Sequence, residues 1–146
     1  MTLETAVRER FERSFGLWRD LVEAIDEASL KSKLATLPSN TIGAQLWCVV
    51  GARESYSRAI KAGQWSGFSC SLDDPSSATK VWDALLRSEA GVRDATEMMA
   101  DASDAQAGLI LDLLEHESAH QGQLIRYVYG LKLAIPASWK ARYALE

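Results

Sequence analysis

The residues best suited to chemistry in this 146-residue chain are its two histidines, His116 and His120, within Leu113-Leu114-Glu115-His116-Glu117-Ser118-Ala119-His120-Gln121-Gly122-Gln123-Leu124. A separation of four positions is a little over one helical turn, so in a helix both imidazoles project from the same face. The apolar stripe of the segment runs Leu109, Leu113, His116, His120, Leu124 and Val128, which assigns both rings to the core side. A single inward histidine is usually satisfied by a hydrogen bond. Two of them one turn apart are costly to desolvate and repel each other if both take up a proton. A divalent metal bound to the neutral rings removes the conflict by giving each lone pair a partner.

A third ligand would complete such a site. Cys48 lies in Leu46-Trp47-Cys48-Val49-Val50, where packing alone favours reading it as a small buried hydrophobe. Glu54 is the nearest carboxylate in the same segment, but it is rotated well away from Cys48. Glu115 and Glu117 flank His116 off the His116–His120 line and read as a solvated face. Gln123, one turn beyond His120, is placed to support the ligands from behind.

Helical periodicity supplies the elements that would position these groups. Leu3, Val7, Phe11, Phe15, Trp18, Val22 and Ile25 trace one stripe over a first helix from about Thr2 to Ala28. Leu34 to Pro38 reads as a linker. Ser39 or Asn40 can cap a second helix that stops at Gly63. Gly63 to Asp74 reads as a loop whose Trp65 and Phe68 fold over something apolar. Asp73 or Asp74 before Pro75 starts a third helix running to about Ala100. Ser103 or Asp104 caps a fourth, which ends at Gly130. Leu131 to Glu146, with Pro136 and Trp139, is expected to wrap one end of the assembly. Four amphipathic helices of roughly 20–27 residues predict an all-α, four-helix-bundle fold in a single domain spanning residues 1–146.

Composition narrows the function. A net charge of −4, with sixteen basic residues scattered among twenty acidic ones, argues against nucleic acid or an anionic membrane as partner. No apolar run is long enough for a membrane span, and the first residues lack the pattern of a signal peptide. Two cysteines are too few for a secreted disulfide scaffold, so a cytoplasmic location is expected. There is no Walker-type or dinucleotide glycine motif, and the two histidines are the whole supply for any Ser-His-Asp set.

His116-x-x-x-His120-x-Gly122-Gln123-Leu124, followed by Tyr127, Gly130 and Pro136, resembles the last long helix of the DinB-like superfamily. Thr41-Ile42-Gly43 leading to Leu46-Trp47-Cys48 resembles its second helix, and the likeness extends over nearly the whole chain. The resemblance implies a four-helix bundle of up-down-down-up type and a divalent metal, often zinc or nickel, held by three histidines. His116 and His120 match the family's pair, and Cys48 stands where its first histidine would fall. A thiolate is a good zinc ligand, so Cys48, His116 and His120 are the expected metal ligands, with a fourth position open to water or substrate. Some relatives are metal-dependent transferases or isomerases that use low-molecular-weight thiols, and many are homodimers. Two functions follow: a metal-dependent thiol transferase or hydrolase, or a non-catalytic ligand-binding or dimerising bundle that has lost its metal.

Overall fold

Side-chain caps start each long helix. In the computed structural model, which describes residues 1–146, Thr2 accepts from the Thr5 amide and begins α1 (Leu3–Ala24). Thr41 does the same for Ala44 at the head of α3 (Ile42–Ala62), and Ser77 for Lys80 at the head of α4 (Ala78–Ala95). Ser103 and Gln106 form a reciprocal capping box on α5 (Asp104–Gly130). Short helices α2 (Glu27–Leu30) and α6 (Ala137–Tyr143), with a single 3-10 turn at Met99–Asp101, complete an all-helical chain. No helix is long and apolar enough to cross a membrane.

Four boundaries differ from the sequence expectation, each through a polar side chain that competes for the backbone. The first helix stops at Ala24, because the Asp26 carboxylate accepts from the Ser29 amide at 2.8 Å and caps α2 instead. Neither Ser39 nor Asn40 caps α3, since Ser39 is tied to Leu34 and Asn40 to Gln45 and Tyr127. The third helix neither starts at Asp73 or Asp74 nor reaches Ala100. Asp74 closes a turn onto Ser76, and Thr96 Oγ1 donates to the carbonyl of Val92 where α4 ends. Arg8 of α1 collects the freed carbonyls of Thr96 and Glu97. Gly63, at φ +77°, closes α3 in the left-handed conformation that favours glycine.

α3 packs against α4 and α5, and α1 packs against the same two. The C-terminal segment does more than wrap an end. Trp139 is fully buried, donates from Nε1 to the Leu17 carbonyl at 2.7 Å, and meets Trp18 edge-on with ring centroids 5.8 Å apart. The loop after α3 folds back over that helix as expected. Trp65 rests on Tyr56, and Phe68 rests on Trp47 above Gly51, where an added Cβ would lie 2.3 Å from the Phe68 ring.

The apolar core is split in two. One cluster includes Trp18, Leu21, Leu46, Val50, Leu85 and Trp139; the other includes Phe11, Phe15, Ile60, Val92, Ile110 and Leu113. Between them lies a buried charged layer. Arg53 Nε donates to Glu117 Oε1 at 2.5 Å, and its Nη2 donates to Oε2 at 3.0 Å. Ser14 and Trp18 of α1 donate to the same Oε2 at 2.6 and 2.7 Å, while Arg53 also reaches Ser88 of α4 and covers the Phe15 ring. Glu117 was expected on a solvated face, yet its residue exposure is 0%. The cause is the position of α5 between α3 and α1, which gives that helix two buried faces. Burial pushes the Glu117 carboxyl upward, but the Arg53 charge and the donated hydrogen bonds outweigh it and hold the group below its ordinary value.

Removing one partner of such a pair leaves an uncompensated buried charge. Glu117→Gln is therefore expected to cost about 3–5 kcal/mol, read as a lower urea midpoint at unchanged slope. The double change Arg53→Met with Glu117→Leu should recover most of that loss. A Glu117→Gln protein as stable as the parent would contradict the pairing.

Candidate metal centre

Gln45 and Cys48 are three positions apart on α3, so they share the face that α3 turns to α5. The fully buried Leu46, Val49 and Val50 fix the rotation of α3 about its axis. Opposite them, His116 and His120 stand one above the other with ring centroids 4.5 Å apart. The structure thus brings together the three residues that the sequence singled out. One donor atom each from Cys48, His116 and His120 lies within 4.8 Å of the other two.

The individual spacings are informative. Cys48 Sγ lies 3.6 Å from His116 Nε2, and His116 Nε2 lies 3.2 Å from His120 Nε2. A tetrahedral ion with bonds of about 2.3 Å to sulfur and about 2.0 Å to nitrogen separates its donors by about 3.5 Å and about 3.3 Å. The two spacings made by His116 already match that geometry, and the third pair, Cys48 with His120, lies within 4.8 Å. His120 is buried, whereas Cys48 and His116 are half-buried, so the trio is accessible from the Cys48–His116 side.

Support from behind comes from a residue that the sequence reading missed. Gln123, expected in that role, is exposed and hydrogen-bonds to neither histidine. The amide that meets His120 Nδ1 is Gln45, through Oε1. Gln45 Nε2 donates to Asn40 Oδ1 at 2.8 Å, and the Tyr127 hydroxyl donates to the Asn40 carbonyl at 2.6 Å. In this orientation Gln45 accepts from His120 Nδ1–H, which fixes the tautomer and leaves the His120 Nε2 lone pair facing the other donors. The available signal was spacing, because Gln45 falls one turn before Cys48. Glu54, also considered, accepts instead from the backbone and hydroxyl of Ser71, and Glu115 is exposed.

All three donors are pushed toward their neutral forms. Burial depresses the His120 imidazole to about 4, with the neighbouring His116 adding to the effect and Glu117 opposing it. Burial likewise lowers His116, again against Glu117, and raises the Cys48 thiol. His116 Nδ1 is buried without any hydrogen-bond partner. Neutral imidazoles are the ligating form, and a thiol becomes a strong ligand once an adjacent cation removes its proton. The donor set therefore fits a borderline-soft divalent ion such as zinc or nickel.

A pH dependence follows for the metal-free protein. The unfolded His120 takes up its proton near pH 6.5 and the folded residue only near 4, so between those values the unfolded state binds more protons. The stability contributed by neutral His120 should be complete above about pH 6.5 and lost as pH falls toward 4. Ring-nitrogen chemical shifts would report it directly, and titration of His120 at or above pH 6 would contradict the burial described.

No protein-family model and no curated protein matches this chain.

Proposed function

We propose that the chain is a DinB-like four-helix-bundle protein whose Cys48, His116 and His120 hold a divalent ion, zinc or nickel. Its activity would be that of a metal-dependent transferase acting with a low-molecular-weight thiol, or of a hydrolase. The observation that carries this reading is the convergence of three donor atoms within 4.8 Å, with the two spacings made by His116 those of a tetrahedral ion. The order of cross-helix contacts supports the up-down-down-up arrangement: Arg8–Thr96 and Arg19–Glu89 run α1 against α4, Gln45–His120 and Ile60–Gln106 run α3 against α5, and the first turns of α1 and α5 lie side by side. An ion held there would supply Lewis acidity, lowering the pKa of a thiol or water at the fourth position. Gln45 holds the His120 ring in register. It also lines a cavity of about 400 Å³ with Asn40, Gln123, Arg126 and Tyr127, behind the His120 ring.

A second reading, a non-catalytic ligand-binding or dimerising bundle, is favoured by one observation. Cys48, His116 and His120 do not themselves line any of the molecule's major cavities. If the bundle has lost its metal, added zinc or nickel leaves the melting temperature unchanged.

Protein purified without an affinity tag after metal-replete growth should carry close to one equivalent of metal per chain. Less than about a tenth of an equivalent would sink the metal reading. Cobalt substitution should give a thiolate-to-metal charge-transfer band that is absent in Cys48→Ser, and Gln45→Ala should weaken binding by about 10–100-fold. Because burial keeps Cys48 protonated, metal uptake at neutral pH should release about one proton, measurable from the buffer dependence of the binding enthalpy. The exposed Trp47, Trp65 and Phe68 support a homodimer. Light scattering should then return twice the mass of one chain, and a monomer across the micromolar range would exclude it.

A further inference from the structure

A cavity of about 560 Å³ lies between α1, α5 and α6, on the side of α5 away from Cys48. Arg10 and Arg13 of α1 and Arg142 of α6 converge on it. None of the three makes an ion pair; Arg8, Arg19, Arg53 and Arg93 do, while Arg58, Arg87 and Arg126 stand unpaired and apart from this cavity. Arg10 donates only to the carbonyl of Ala6 in its own helix. Arg142 lies over the Tyr143 ring at 4.9 Å, and Arg13 has no protein partner. Burial, then the charges of Arg142 and Arg10, hold the Arg13 guanidinium below its ordinary value. In a chain with twenty acidic residues and a net charge of −4, three guanidiniums gathered with none paired to a carboxylate leave a local excess of positive charge. Glu115 is the one acidic residue on the lining, and it pairs with none of them.

The rest of the lining is built and held. Tyr143 Oη donates to Gln121 Oε1 at 2.5 Å, Gln121 Nε2 donates to Ser14 Oγ at 2.7 Å, and Ser14 donates to the buried Glu117. Gln121 and Ser14 are buried, so the floor is anchored to the charged layer of the core. Leu17 and Leu114 supply an apolar wall.

We propose that this cavity binds a small molecule carrying an oxyanion, a phosphate or a carboxylate, with its apolar part on Leu17 and Leu114. Arg13 and Arg142 clamp the anion, since planar guanidiniums match both groups in bidentate fashion, and Arg10 closes the rim. A small ligand fits better than a polyanion, because the remaining basic residues are scattered or already paired and form no track for a nucleic-acid backbone. The site shares no residue with the candidate metal centre, so it stands or falls separately.

Metal-free protein titrated with phenyl phosphate and with phenylacetate, against chloride at matched ionic strength, tests the assignment and separates phosphate from carboxylate. At about a hundredfold excess over the dissociation constant, the preferred anion should raise the melting temperature by roughly 5–10 °C. Arg13→Gln with Arg142→Gln should weaken that anion at least about tenfold while leaving the unliganded melting temperature unchanged or slightly raised. Cys48→Ser should bind it as the parent does. An equal rise with chloride, full affinity in the double variant, or binding only of a nucleic-acid oligomer would overturn the proposal.

Discussion

The rest of the structure depends on the ion pair between Arg53 and Glu117. Both side chains are withdrawn from water, at a desolvation cost of several kcal/mol per ion that mutual attraction repays only when the remaining hydrogen bonds are made. Here they are. Glu117 accepts from Arg53, Ser14 and Trp18, and Arg53 also reaches Ser88, so one charged layer is assembled from α1, α3, α4 and α5. Apolar side chains would pack at several relative heights of these helices, but these donors meet one carboxylate at only one. The layer therefore sets the axial register of the long helices more than it adds net stability.

That register is what the metal-ligating trio needs. His116 and Glu117 are neighbours in sequence and point about 100° apart around α5. Locking Glu117 into α1 and α3 thus aims His116 and His120 along the α3 seam toward Cys48 and Gln45. A shift of one helical step would break the spacing between Sγ and the two Nε2 atoms. On the other side of α5, Gln121 extends the same hydrogen-bond system through Ser14 to Tyr143. One helix therefore carries three tasks: ligands on one face, the core anion on another, and the floor of the arginine-lined cavity beside it.

The electrostatics of the two candidate sites are opposite in sense. Burial drives Cys48, His116 and His120 toward neutrality, leaving lone pairs with too few protons to share and a need for a cation. The cavity lined by Arg10, Arg13 and Arg142 has the reverse excess, three fixed positive charges against the single carboxylate of Glu115, which pairs with none of them. Neither imbalance is compensated within the chain, and each is of the kind that a bound ligand resolves.

Four long helices, the loop over α3 and the inward direction of His116 and His120 were legible because each rests on local rules. These are the period of 3.6, side-chain capping, glycine at Gly63 and the four-residue spacing. The ends of α1 and α4 were less so, because Asp26 and Thr96 act through hydrogen bonds whose competition with the helix is decided residue by residue. The burial of Glu117 was not legible at all. Periodicity identifies one apolar stripe per helix, and a helix wedged between two others has a second buried face that a charged residue occupies only when its partner is in place. Arg53, directly after the apolar run Leu46–Ala52 of α3, was that partner's one trace. The choice of Gln45 over Gln123, and the gathering of Arg10 and Arg13 with Arg142 from the far end of the chain, depend on which helices become neighbours. Sequence determined the helices and the faces that carry chemistry, through interactions within one or two turns. Tertiary structure alone decided which faces meet, because that depends on contacts between residues as far apart as Ser14 and Glu117.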